Sequence, residues 1–101
     1  MADLLAREEI DTAMAALPGW EYEDDKLVRT ADVPADSQDG LVEAVMKVAD
    51  EVNHHPDISR YPDSLTFRLW THSAGGVTAK DVELAARIDT QLSGSGTDTG
   101  G

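Results

Sequence analysis

No cysteine occurs among the 101 residues, which removes disulfides, thiolate metal sites and cysteine nucleophiles together. Aromatics are scarce, with two Trp, two Tyr and one Phe, so a core must rest on Leu, Val, Ile, Ala and Met. Positive charge is scarce as well: eight Lys and Arg stand against twenty Asp and Glu, for a formal net charge of −12. The eight bases are scattered singly, and such a surface repels a phosphate backbone, so direct nucleic-acid binding is not expected. No apolar run is long enough for a membrane span, and the opening "MADLLAREEIDTAM" carries acids early, unlike a signal peptide. The expectation is a soluble, cytoplasmic protein of one small domain. Thirteen of the twenty acids are aspartate. A surface of that kind suits a cytosol of high salt, where screening removes self-repulsion; an ordinary acidic protein is the alternative.

What is present falls into a regular order. Asp3 to Leu17 reads as a helix, with Ile10, Ala13, Met14 and Leu17 at helical spacing and Pro18-Gly19 as its stop. "WEYEDDKLVRTADV" reads as a hairpin, Trp20–Glu23 and Lys26–Ala31, turning at Asp24-Asp25. A second helix carries Leu41, Val45, Val48 and Val52 on one face, with Asp36 or Ser37 as its cap and Pro56 as its end. "DISRY" and "SLTFRLWTH" form a second hairpin around "PD", in the register that sets Ile58 against Phe67 and Asp57 against Arg68. Proline cannot take the positive φ of a type I′ turn, so the longer, four-residue loop "YPDS" built on a type I turn is expected in place of a two-residue one. Thr78 opens a last helix, with Asp81 three residues on as in a capping box. The order is α-β-β-α-β-β-α: an α+β fold, a single domain over residues 1–92 with three helices packed on one face of an antiparallel sheet. Residues 93–101 read as a flexible Gly/Ser/Thr-rich tail.

The chemistry concentrates on three histidines. Two stand side by side in "NHHP" as His54 and His55; the third, His72, follows Trp70 in "LWTH". Continuing the second helix through the pair puts His55 on the buried face and His54 one turn after Asp50, whose carboxylate would orient the imidazole. The hairpin register brings Trp70 and His72 onto the face that also carries Asp57, where all three imidazoles converge. Taken singly, each feature has a plainer reading: His55 as a core histidine, Asp57–Arg68 as a cross-strand ion pair, Trp70 as packing, Asp81 as a helix cap. A mixed metal site with Asp50 fits less well, because adjacent histidines seldom ligate one ion together. No nucleophile elbow or phosphate loop is present.

The residues "HHPDI", then "LWTHSAGGVTAKDVELA", with the first and third histidines eighteen residues apart and "LPGWE" upstream, resemble the pterin-4a-carbinolamine dehydratases. The resemblance runs from about Ile10 to Leu92. It implies an α+β fold with a four-stranded antiparallel sheet and three helices. It implies dehydration of 4a-hydroxytetrahydropterin to quinonoid dihydropterin, as in tetrahydrobiopterin recycling, with no metal and no added cofactor. Carried over position by position, His54 and His72 would be the acid–base pair and His55 would hold and orient the substrate. Asp81 would assist, Trp70 would floor the flat ring beside Asp57, and Asp50 would support the first histidine. Members form homodimers and often homotetramers, and some animal members double as dimerisation cofactors of a transcription factor. A non-enzymatic dimeric binding or coactivator module is therefore the alternative. The chain departs from the family where Asp50 replaces the usual Glu, where Tyr61 comes one residue early, and where "DVPADSQDG" replaces an aromatic-rich helix entry.

Overall fold

Alternation of apolar and polar residues along the central strands sets the sheet, and the helices cover the apolar face. A computed structural model describes residues 3–94. The elements are α1 (Arg7–Ala16), β1 (Glu21–Glu23), β2 (Lys26–Asp32), α2 (Ala35–Val52), β3 (Asp57–Tyr61), β4 (Ser64–Leu69) and α3 (Ala79–Gly94). The four strands form one antiparallel sheet in the order β1-β2-β4-β3. The two hairpins are thus joined through β2 and β4, and β1 and β3 are the edges.

The expected register is the observed one: Ile58 pairs with Phe67, Arg60 with Leu65 and Asp57 with Arg68. Tyr61 pairs with Ser64, so the loop is the two residues Pro62-Asp63 and not the four expected, and neither residue takes a positive φ. The first hairpin turns instead on Asp24 and Asp25 with φ of 52° and 63°, the left-handed pair that a type I′ turn demands. Across β2 and β4, Leu27 faces Leu69 and Ala31 faces Leu65. These residues, with Phe67, are buried in one cluster with Leu17, with Leu41, Val45, Val48 and Ala49 of α2, and with Leu84, Ala85 and Ile88 of α3. The alternate residues, among them Val28, Thr30, Asp57, Ser59, Thr66 and Arg68, belong to the face without helices.

Four helix boundaries differ from the sequence expectation. The first helix begins at Arg7, not Asp3, because Leu4 and Leu5 run extended against the segment before α3: Leu4 bridges Thr78 and the Leu5 N–H bonds the Val77 carbonyl at 3.0 Å. Glu9 then satisfies the Ala6 N–H at 2.7 Å, fixing the start of the helix. At α2 the cap is Pro34, with Asp36 and Ser37 inside the first turn. Most consequentially, α2 ends at Val52, so the adjacent histidines lie beyond it. The helix α3 runs to Gly94, two residues into the segment expected as a tail, and the remainder of that segment lies outside the described residues.

One buried polar side chain ties the far end of the sheet together. Gln38 of α2 donates its amide to the carbonyls of Val33 (3.0 Å) and Tyr61 (2.7 Å) and lies 3.3 Å from that of Ser64. Replacing it by Leu keeps the bulk but strands these carbonyls. The expected outcome is a stability loss of about 1–3 kcal/mol, read as a lowered urea midpoint with unchanged slope. An unchanged midpoint would show that the carbonyls find other partners.

Candidate active site

The site begins where α2 stops. Asn53 takes φ 56° and ψ 45°, the left-handed conformation that short polar residues tolerate, and its N–H bonds back to Ala49 and Asp50. The His54 N–H closes a further bond to the Ala49 carbonyl at 3.0 Å. This reversal sends the two imidazoles to different neighbours, and it exchanges the places expected from helical extrapolation. His54 is the enclosed one, its side chain 12 % exposed, with Nε2 at 2.5 Å from Oδ1 of Asp81. His55 is the open one, 51 % exposed, with Nε2 at 2.7 Å from Oδ1 of Asp50. Asp50 therefore supports His55, not His54. The reason is physical: one left-handed residue takes the chain off the helical path, so angles projected beyond Val52 no longer hold.

Asp81 is fully buried at the first turn of α3. Its Oδ2 accepts the Thr78 backbone N–H at 2.8 Å, the capping-box bond the sequence led us to expect, while the Lys80 N–H meets the Thr78 hydroxyl at 3.3 Å. The same Oδ2 also accepts the Thr71 hydroxyl at 2.8 Å. A carboxylate with this many donors is satisfied inside the protein, where an unpaired charge would be costly. Neither Thr71 nor Thr78 was expected in the site beyond the cap. The available signal was local: Thr71 stands directly before His72, and Thr78 three residues before Asp81.

Beyond Leu69 the chain leaves the sheet and folds into a tight loop. The Thr71 N–H bonds the Gly76 carbonyl at 2.8 Å, and the Thr71 carbonyl takes back the N–H groups of Ala74 and Gly75. Gly75 supplies the positive φ of 78° that this return needs. The loop sets the exposed His72 ring against Trp70, with centroids 4.5 Å apart and planes 24° from parallel. The Lys26 ammonium lies 4.8 Å from the same indole. His55, Pro56, Asp57, Trp70 and His72 line a shallow cleft of about 320 Å³ at this end of the helix-free face. Because His72 covers one side of Trp70, the indole braces an imidazole as well as walling the cleft. Asp57 is opposite Arg68 in register, but Arg68 turns its Nη1 to the Ser59 hydroxyl at 3.1 Å.

All the residues singled out from the sequence thus gather at one end of the fold. The cleft joins His55 and His72 directly. Asp81 joins His54 to Thr71, the neighbour of His72. A larger concavity of about 640 Å³ lies elsewhere, lined by Asp3, Leu4, Leu5, Glu9, Thr78, Ala79 and Lys80, and holds no histidine. Among the described residues no group of three or more His, Cys, Asp or Glu side chains is arranged to hold a metal ion, and no helix is long and apolar enough to cross a membrane.

An α-β-β-α-β-β-α domain with two carboxylate-paired imidazoles at the end of its second helix, and with His55 and His72 lining an aromatic-walled cleft, defines a class: a small α+β protein with a histidine-rich site at one end of its sheet. Comparison with known proteins narrows that class. Residues 3–91 match the model of the family described as pterin 4 alpha carbinolamine dehydratase. A relative from Mycobacteroides abscessus, named provisionally as such a dehydratase, is 46% identical over 91 residues, covering 88% of this chain and 96% of its own. One from Sulfolobus acidocaldarius, named in the same way, is 38% identical over 86 residues, covering 84% and 94%. The crystal structure described as a transcriptional coactivator/pterin dehydratase from Brucella melitensis superposes with a TM-score of 0.82 at 25% identity, over 91% of this chain and 98% of that one. The chain belongs to the pterin 4 alpha carbinolamine dehydratase family.

Proposed function

We propose that the protein dehydrates a 4a-hydroxytetrahydropterin to the quinonoid dihydropterin by histidine acid–base catalysis. The observation that carries this reading is the convergence of all three imidazoles on one end of the fold, with His54 held by a buried carboxylate and His72 beside an open cleft. Loss of water from a carbinolamine needs a proton delivered to the departing hydroxyl and another removed from a ring nitrogen. Imidazoles serve both tasks near neutral pH. His54 and His72 form the acid–base pair; His55, steadied by Asp50, holds and orients the ring; Trp70 and Asp57 shape the wall it meets. Asp81 is the partner that keeps His54 in place. The chemistry so written requires no metal or added cofactor. A cytoplasmic homodimer or homotetramer acting in tetrahydropterin recycling goes with this reading.

The site assignment is tested by titrating isotope-labelled protein with 7,8-dihydropterin, a stable relative of the product, and following the amide and indole signals. The expected shifts cluster on His55, Asp57, Trp70 and His72. Shifts clustered instead on Leu4, Glu9 and Lys80, around the larger concavity, would move the binding site and sink the assignment.

A second reading has one specific support. The Brucella melitensis structure is described as a coactivator as well as a dehydratase, and the helix-free sheet face here leaves Ser59, Arg68 and Tyr61 uncovered or half covered. A binding module using that face would retain its partner after all three histidines were replaced.

A further inference from the structure

The hydroxyls of Thr71 and Thr78 form a chain whose direction is settled by counting protons. Thr71 Oγ1 is 2.8 Å from Oδ2 of Asp81 and 2.8 Å from Thr78 Oγ1. A hydroxyl has one hydrogen to give. Thr71 gives its hydrogen to the carboxylate, so it must accept from Thr78, whose hydroxyl lies 2.8 Å from Thr71 against 3.5 Å from Oδ2 and whose own oxygen accepts the Lys80 N–H at 3.3 Å. Every bond in the chain therefore points at Asp81. With the Thr78 N–H also on Oδ2, that oxygen is committed as an acceptor, and the carboxylate plane is fixed with Oδ1 toward His54.

The consequence falls on the histidine. An oxygen that only accepts must be met by a donor, so His54 presents Nε2–H to Asp81. In the neutral ring the other nitrogen, Nδ1, is then the lone-pair nitrogen free to take a proton. We propose that Thr71 is a positioning residue: its hydroxyl, backed by Thr78, orients the Asp81 carboxylate so that His54 is held as the Nε2–H tautomer with Nδ1 as the working nitrogen. Thr71 touches no substrate in this account. It acts through Asp81, and it couples the loop carrying His72 to the imidazole beyond α2. Removing the hydroxyl leaves the buried Oδ2 with one close donor fewer; the Thr78 hydroxyl, 3.5 Å away, is the partner left for it, so the carboxylate turns toward Thr78 and Oδ1 loses its alignment with Nε2.

The test compares Thr71→Val, which keeps the shape and removes the hydroxyl, with Thr71→Ser, which restores it. The first readout is the pair of imidazole nitrogen resonances of His54 at a pH where the ring is neutral. The wild-type protein is expected to show a pyridine-like Nδ1 and a pyrrole-like Nε2; Thr71→Val is expected to show the two signals drawn toward each other as tautomers average. The kinetic readout rests on the dehydratase reading. There kcat is expected to fall on the order of tenfold in Thr71→Val with KM within about twofold, the size of one hydrogen bond to a charged group, and Thr71→Ser to recover it. The nitrogen signals do not depend on that reading, so a protein with no turnover still decides this proposal. Thr71→Ala, which leaves the same oxygen without its donor, carries the same expectation if the valine variant does not fold. A folded Thr71→Val or Thr71→Ala with wild-type nitrogen signals would overturn the proposal. So would a Thr71→Ser protein that fails to restore them.

Discussion

His54→Ala is expected to lower the dehydration rate by about 10²–10⁴-fold, the range that one general acid–base group contributes. Two structural facts put the largest effect at this position. His54 is the most enclosed of the three imidazoles, and it alone is bonded to a fully buried carboxylate. A group so restrained is held in its working geometry before substrate arrives, and that advantage disappears with the ring. His55→Ala should cost less, because His55 and Asp50 are both exposed and their pairing is correspondingly weak. Its loss should appear mainly in KM. The measurement is steady-state turnover of both variants beside wild type, with circular dichroism to confirm folding. If His55→Ala proved the most damaging in kcat, the division of roles between the adjacent histidines would have to be reversed.

Asp81→Asn is expected to be nearly as harmful to catalysis while leaving the fold standing. The carboxamide can accept at one position and donate at the other. Thr71 O–H and Thr78 N–H both need an acceptor on the Oδ2 side. The substituted side chain therefore places its oxygen toward them and its NH₂ toward His54. That arrangement satisfies every partner only if His54 changes tautomer, putting the hydrogen on Nδ1 and the lone pair on Nε2. The nitrogen needed for proton transfer then faces the wrong way. A tautomer error of this kind is expected to lower kcat by roughly 10²–10⁴-fold. Stability should fall by only about 1–2 kcal/mol, because charged hydrogen bonds become neutral ones without being left unmade. Asp81→Ala, by contrast, strands Thr71, Thr78 and His54 together and should lower Tm by on the order of 10 °C. Asp81→Asn with wild-type turnover would show that the carboxylate is only a helix cap.

Much of the scaffold could be read directly from local pattern. The match of Ile58 with Phe67 and Arg60 with Leu65 follows from strict alternation on both sides of a two-residue turn, and the structure has that register. The α2 face of Leu41, Val45 and Val48 and the Asp24-Asp25 turn were legible for the same reason: spacing of a few residues reports local geometry. What local pattern could not carry was the reversal at Asn53. A helical wheel continues a periodicity, and the one local sign in "ADEVNHHP" that the period stops three residues before the proline is Asn53, a residue type that takes the left-handed position at helix ends. The places of His54 and His55 came out exchanged as a result.

The partner of His54 was illegible for a different reason. Asp81 lies 27 residues away in sequence, and its short-range role as the carboxylate of a capping box is complete in itself. A residue whose local bonds already explain it gives no sign of a second, distant one. The extended Leu4–Leu5 segment shows the same limit. Two leucines ahead of a helical stripe read as more helix until the chain they lie against, Val77–Thr78, is in view.

The most direct measurement is the rate at which purified wild-type protein removes water from freshly generated 4a-hydroxytetrahydropterin, set against the buffer reaction and against His72→Ala. Turnover well above buffer is expected, falling strongly when His72 alone is replaced. Folded wild-type protein that gives no rate above buffer would contradict it, and would leave the cleft between His55, Trp70 and His72 without the reaction proposed for it.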